Sequence, residues 1–288
     1  MSNIESLYEA YRTPLFSFAY RMLGSVMDAE DIVQEAFIAY EQVPDVSEIR
    51  NERAFLYKIV TNRCLDLLRS SAKKRELYVG PWLPEPLIGL ADAEDDPSTA
   101  YLRRESISMA YLLLLQQLNA VERAIFLLRE IFGYSYEEIA ETIGRSAANC
   151  RQIYHRAKKG IHYDPDRTPS VSVAENYVRE FANALVQGNM NRMLELVSDD
   201  VAFISDGGGK VRAAGIPVYG ADRVIALLQG LLRMYEGQFS FSFLPVNGQP
   251  GMRFVLNDEI QYVYTFHIEE DRIRAMYVVC NPDKLRHV

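Results

Sequence analysis

The apolar residues of this chain keep a helical period over its first half and shorten towards a period of two in its last third, so one uniform layer of secondary structure cannot hold it. From Ile4 to about Ala72 they recur at helical spacing, as in Leu15, Phe18, Ala19 and Met22, then Ile32, Ala36, Ile38 and Ala39, broken by Gly24 and Pro44. Helical spacing returns from Leu102 to about Ile161, and Pro165 and Pro169 mark its end. A further helix is predicted over 173–187 and leads into Leu194 to Val197. Beyond it, Phe239 to Leu244, Met252 to Leu256, Ile260 to Ile268 and Arg272 to Val279 are rich in β-branched and aromatic residues and are expected as strands. The expected fold is multidomain: two all-α domains followed by an α+β domain. A length of 288 residues, 49% of them hydrophobic, is too long for one typical domain and supplies two or three small cores.

The expected boundaries follow from composition. Gly80-Pro81-Trp82-Leu83-Pro84-Glu85-Pro86 is too proline-rich for a helix, and Ala91 to Pro97 is acidic and packs poorly. This gives domains at 1–75, 102–165 and 170–288, with a linker at 76–101. Trp82 between prolines is a stiff amphipathic anchor that is costly to leave in water, which points to docking on a neighbouring domain; a surface turn is the alternative. Gly207-Gly208-Gly209 lacks the Lys-Ser/Thr of a phosphate loop and is expected as a turn with positive φ and close backbone approach, presenting Asp206 and Lys210 to another domain. There is no internal repeat. No apolar run is long enough to span a membrane and the N-terminus lacks the order of a signal peptide, so a cytoplasmic protein is expected. Cys64, Cys150 and Cys280 are far apart, without CxxC spacing, and are expected as small buried apolar residues rather than disulfide or metal ligands.

A net charge of −8 argues against a protein that coats nucleic acid indiscriminately. Locally the balance reverses. Between Arg50 and Arg75 there are eight basic residues against two acidic ones, and from Arg145 to Lys159 five against none. Just ahead of the second island Ser135-Tyr136-Glu137-Glu138 has the form of a capping box, Gly144 suits a tight turn, and Ser146, within it, is placed to cap a second helix running to Lys159. The outline is a helix-turn-helix. Cys150, Tyr154 and Ala157 are expected inward, which leaves Asn149, Arg151, Gln152, His155 and Arg156 on or near an outer face suited to bases and phosphates. A charged, solvated face on a plain helical hairpin has the same pattern.

Here the chain resembles a known family. Leu118 to Glu130, Gly133 to Ala140 and Tyr154 to Ala157 resemble domain 4 of the extracytoplasmic-function sigma factors, which recognises the promoter −35 element. Asp28-Ala29-Glu30-Asp31-Ile32-Val33-Gln34-Glu35-Ala36-Phe37 resembles the polymerase-binding helix of their domain 2, and Ala54 to Asp66 its −10 region. The resemblance implies that Asp28, Glu30, Asp31, Gln34 and Glu35 face core RNA polymerase. It assigns Asn62, Arg63, Arg69, Lys73 and Lys74, following the aromatic Phe55 and Tyr57, to −10 DNA, the segment from Gln42 to Asn51 to the holding of a flipped base, and Ser146, Asn149, Arg151, Gln152, His155 and Arg156 to −35 DNA. Ile153 stands where a basic residue is frequent in relatives, so the promoter sequence does not carry over.

Ordinary members of that family stop near residue 165. The helix-then-sheet remainder resembles a SnoaL-like, ketosteroid-isomerase-type cone. Together with Trp82-Leu83-Pro84-Glu85-Pro86, Asp206-Gly207-Gly208-Gly209-Lys210 and Asn281-Pro282-Asp283-Lys284-Leu285, it resembles the sigma-factor subgroup with such a domain fused at the C-terminus. Trp82, Pro84, Asp206, Lys210, Asn281, Asp283 and Lys284 are the expected regulatory contacts, acting in cis. No cofactor and no catalytic residue is expected, although His267, Tyr262, Tyr264 and Asp206 are the groups a catalytic cone would use. The expected partners are core polymerase and promoter DNA. An unidentified small ligand in the cone belongs to the alternative, a DNA-binding regulator whose last domain is a sensor or isomerase-like enzyme.

Overall fold

The computed structural model describes residues 3–46, 49–88, 107–161 and 169–288, apart from the side chains of residues 3 and 72–75. The acidic stretch at 91–97, most of the linker beyond residue 88, and Pro165 lie outside the described residues. The chain divides into two compact units, Met1–Glu76 with Tyr111–Tyr163 and Leu77–Ala110 with Asp164–Val288.

The first unit is helical. α1 (Asn3–Leu23) ends at Gly24, whose φ of 70° turns the chain, and Ser25 caps α2 (Val26–Glu41) by accepting from the Asp28 N–H at 3.2 Å. α3 (Glu52–Glu76) completes the N-terminal part. After α4 (Met109–Gln116) come α5 (Ala120–Glu130), α6 (Tyr136–Ile143) and α7 (Ala147–Gly160). The helical segments before and after the linker share one core. Phe18 of α1 meets Tyr57 of α3 at 5.7 Å and Phe132, after α5, at 5.6 Å. Arg123 of α5, 3% exposed, donates to the carbonyls of Leu115 and Leu118 and to that of Met22 in the last turn of α1, satisfying acceptors that a helix end leaves open.

The second unit is α+β. α8 (Val171–Val186) and α9 (Met190–Leu196) lead into β1 (Val197–Asp206); β2 (Val218–Tyr219) and α10 (Ala221–Met234) precede β3 (Phe239–Val246), β4 (Gln249–Leu256), β5 (Ile260–Glu269) and β6 (Arg272–Val279). The sheet order is β2-β1-β6-β5-β4-β3, with β1 and β6 parallel and the other neighbours antiparallel. Asn247-Gly248 and Glu270-Asp271 take the positive φ that two-residue hairpin turns demand, and Asn257 and Asp258, also at positive φ, open the three-residue turn between β4 and β5. Register shifts in β1 and at His267/Ile268 of β5 bend the sheet. Its concave face packs on α8, α9 and α10 through Val178, Phe181, Met193, Val224, Ile225 and Leu228.

The four expected strands are present and extend by up to three residues; the helix expected over 173–187 runs from Val171 to Val186. Sequence reading lacks α10 and the full length of β1. Val224, Ile225 and Leu228 do carry a helical period, but it lies between segments of strand character. Ile38, placed with the apolar stripe of α2, is instead exposed.

Candidate functional site

The helix-turn-helix is built as its caps predict. Ser135 accepts from the Glu138 N–H at 3.2 Å while the Glu138 carboxylate accepts from the Ser135 N–H at 2.8 Å. Gly144 closes α6 with φ 71°, and Ser146 caps α7 by accepting from Asn149 N at 3.3 Å. The hydrogen bond from the Ser135 N–H, and secondarily the interaction of the carboxylate with the Ser135 side chain, hold the Glu138 carboxyl below the usual carboxylate range. Cys150, Ile153, Tyr154 and Ala157 are buried, and Arg151, Gln152, His155 and Arg156 are exposed, with Asn149 half-buried beside them. Not all of these cations are free. Arg151 lies over the Tyr136 ring at 4.9 Å, and Arg156 pairs with Glu122 at 2.8 Å. Glu130 seats the other side of α7: burial pushes its carboxyl up, but hydrogen bonds from Tyr154 and from Lys158 at 2.9 Å outweigh that and hold it low.

On α2, Asp28, Glu30, Asp31, Gln34 and Glu35 form one exposed face, because Ala29, Ile32, Val33, Ala36 and Phe37 turn into the core. On α3, Asn62, Arg63 and Arg69 are exposed; Arg63 reaches Glu35 at 3.2 Å and Arg69 reaches Asp66 at 3.1 Å, pairs too exposed to add much stability. The side chains of Lys73 and Lys74, and part of the segment from Gln42 to Asn51, lie outside the described residues. Tyr57, expected at the DNA, is buried instead. Phe132 and Tyr134 cover it at 5.3 Å each, and Arg53 locks them down, donating to the Phe132 carbonyl at 2.7 Å and lying over the Tyr134 ring at 4.6 Å. Phe55 is half-buried against Tyr40.

The remaining motifs meet in the α+β unit. Asp206, at the end of β1, has no exposed surface and its carboxylate accepts four hydrogen bonds: Tyr78 Oη at 2.5 Å and Gly208 N at 3.1 Å on one oxygen, Leu83 N at 2.8 Å and Lys284 Nζ at 2.7 Å on the other. Lys284, itself buried, also donates to the Leu83 carbonyl and lies over the Trp82 ring at 3.9 Å. Asn281 donates to Tyr78 Oη at 2.8 Å and caps the short turn that carries Asp283, which pairs with Lys210. The triple glycine is a turn, with Lys210 N donating to Gly207 O at 2.9 Å, and at Gly208 a Cβ would sit 2.3 Å from Asn281 Nδ2 with φ at +57°. Asp206 and Lys210 therefore face the linker segment and the C-terminal tail of their own unit, not another domain.

Trp82 is half-buried, and Leu83 is the deeper anchor at 1% exposed; Pro84 and Pro86 are buried beside it. Further along, Leu87 N donates to Asn247 Oδ1 at 3.1 Å, Asn247 N returns to Leu87 O at 2.8 Å, and Ile88 bridges Val246, covering one end of the edge strand β3. Sequence reasoning missed Tyr78, Leu83 and Asn247. The Asn-Gly pair that carries Asn247 signals a turn, and nothing in it signals a partner 160 residues away.

The candidate catalytic groups are not brought together. Tyr262 and Tyr264 line a cavity inside the cone, where burial pushes the Tyr262 phenol up to about 12 and Tyr264 higher. His267 and Asp206 are not among its lining residues, and burial lowers the His267 imidazole pKa. Cys64, Cys150 and Cys280 are buried free thiols as expected. Among the described residues no helix is long and apolar enough to cross a membrane, and no cluster is arranged to hold a metal ion.

Comparison with known proteins places these features together. Residues 7–74 match sigma-70 region 2 and residues 108–160 match sigma-70 region 4. The chain is 34% identical to the ECF RNA polymerase sigma factor SigJ of Mycobacterium tuberculosis, over 97% of this chain and 92% of that protein. It is 32% identical to the probable ECF RNA polymerase sigma factor SigI of the same organism, over 98% and 94%. The crystal structure of SigJ superposes with a TM-score of 0.79 at 30% identity, covering 98% of each chain.

Proposed function

Since the chain belongs to the extracytoplasmic-function RNA polymerase sigma factors, we propose that it binds core polymerase, directs initiation at its own promoters, and is regulated in cis by its C-terminal α+β unit. The exposed acidic face of α2 serves the polymerase; Asn62, Arg63, Arg69, Lys73 and Lys74 serve −10 DNA, and Ser146, Asn149, Arg151, Gln152, His155 and Arg156 serve −35 DNA. Exposed cations on an acid-free helix face suit phosphates, while Asn149 and Gln152 offer the paired donor and acceptor that base edges require.

One observation carries the regulatory part: the buried Asp206–Lys284 pair grips the linker at Tyr78, Trp82 and Leu83. A linker held in this way has fewer conformations in which to span a promoter. Its release therefore changes the reach of the helices at its two ends. Pro84, Lys210, Asn281 and Asp283 support the grip. We read the cone as non-catalytic, since its candidate acid and base are not on one surface.

Run-off transcription with bacterial core polymerase tests both parts. The full chain and a truncation ending near Arg167 are compared over a promoter library. Transcripts from either form support the sigma assignment, and a ratio between forms other than one supports control by the α+β unit. Absence of transcripts and of core binding from a folded chain would overturn the reading in favour of a DNA-binding regulator.

A further inference from the structure

The cone is hollow. α8, α10 and the concave face of the sheet enclose a cavity of about 470 Å³, within the range that takes small organic ligands. Its wall is almost wholly apolar, with Phe181, Leu228, Phe254, Phe266 and Met276 facing inward. Water gains few hydrogen bonds in such a space, and an empty one forfeits dispersion contacts along its whole lining. The hollow is shaped by the chain itself: α10 places Gly230 in the wall, where an added Cβ would meet nothing within 4 Å, although glycine weakens a helix interior. At the mouth Val186 and Met234 are more than half exposed, which makes an apolar doorway.

The polar groups of the wall are few, and none is acidic at neutral pH. Among the described residues no carboxylate and no imidazole lines the cavity, and the one cation is Arg212, exposed at the rim and without a hydrogen bond or ion pair to any described residue. Tyr235, Tyr262 and Tyr264 add phenols. Such a site favours a molecule with an apolar body and one negative group, because burying the body is favourable and the anion finds a cation at the opening.

The end of β1 and the residues that follow β6 both wall the cavity and hold the linker. Ser205 and Cys280 are in the wall, and their successors Asp206 and Asn281 are in the grip on Tyr78 and Leu83. The N–H groups of Cys280 and Asn281 donate to the Asp206 carbonyl at 2.9 and 3.0 Å, and Ser205 Oγ accepts from Ala214 N at 2.8 Å. We propose that the cone binds one apolar molecule bearing a single anionic group, and that its occupation is transmitted through Ser205-Asp206 and Cys280-Asn281 to the linker at Trp82. The transmission rests on the regulatory reading above; the binding does not.

The test uses the full chain and no transcription, so that its failure is separate from failure of the sigma assignment. 8-Anilinonaphthalene-1-sulfonate is titrated and then displaced with laurate; neutral N-phenyl-1-naphthylamine is titrated in parallel. The expected result is saturable binding of one probe per chain, competed by laurate. Gly230→Leu should weaken all three by about tenfold, and Arg212→Gln should weaken the two anions by about tenfold while leaving the neutral probe unchanged. Trp82 is the single tryptophan, so acrylamide quenching of its emission reads the linker directly and should change when laurate is added. Non-saturable binding, or binding indifferent to Gly230→Leu in a variant with unaltered melting, overturns the site. Equal loss of anionic and neutral probes in Arg212→Gln overturns the ligand class, and saturable binding with unchanged Trp82 quenching overturns the transmission.

Discussion

Asp206 and Lys284 are the residues on which the α+β unit depends most sharply. Both are buried, and a buried charge is tolerable only while its partner and its hydrogen bonds are in place. Asp206→Ala strands Lys284 and removes the acceptor for Tyr78 and for the Leu83 N–H, so it should cost about 3–5 kcal/mol, read as a lower urea midpoint followed by Trp82 emission. Replacing both, as Asp206→Leu with Lys284→Met, should cost less than the two single changes summed; strict additivity would show that the pair is uncoupled. The motif glycines are legible at this scale. Gly208 is required because any side chain meets Asn281 and Tyr78 and because its φ is positive. The partners themselves are not legible, since Tyr78 and Asp206 are 128 residues apart.

At the level of the element, the helix-turn-helix is held by its caps. Ser135→Ala removes the acceptor for the Glu138 N–H and should destabilise the helical unit by about 1 kcal/mol, measured by chemical unfolding. Glu138 and Glu130 both have folded-state pKa values below their ordinary values. A depressed carboxyl contributes stability that is fully present above its unfolded pKa and is lost as pH falls through the folded one. Unfolding midpoints of the helical unit should therefore fall on acidification below about pH 4.5. Glu138→Gln should flatten that dependence; an unchanged acid slope would remove Glu138 as a contributor. On α7, Gln152→Ala should alter which −35 sequences are used, by about 1–3 kcal/mol at one base position. Lys159→Ala, on the same exposed run, should weaken all promoters alike and lower the salt slope by about one. These differ in kind, and a library of promoter variants at two salt concentrations separates them.

For the whole molecule, the notable fact is that the two helical parts on either side of the linker form one core. Tyr57, in the segment that resembles the −10 region, lies beneath Phe132 and Tyr134. Promoter DNA reaches that ring only if α3 separates from the residues after α5. Phe132→Ala removes an aromatic side chain buried against Phe18 and Tyr57 and should cost about 3–5 kcal/mol of that packing. Amide hydrogen exchange should then rise around Tyr57 while α9 and β6, in the other unit, stay protected. A uniform rise across both units would instead mean that they unfold together.

The sequence by itself determined what is local: the capping box at Ser135, the turns at Gly144 and Gly207-Gly208-Gly209, the change from helical to strand periodicity, and the exposed faces of α2 and α7. Each follows from residues within one turn of one another, where spacing and backbone preference act directly. Only the tertiary structure decided that Lys284 meets Asp206, that Arg123 closes the end of α1, that Tyr57 is covered, and that the cone remains hollow around Gly230. Those outcomes depend on which surfaces far apart in the chain are buried together. Burial sets the energy of a charge or a ring through its neighbours, and no periodicity along the chain specifies a neighbour that folding brings from a hundred residues away.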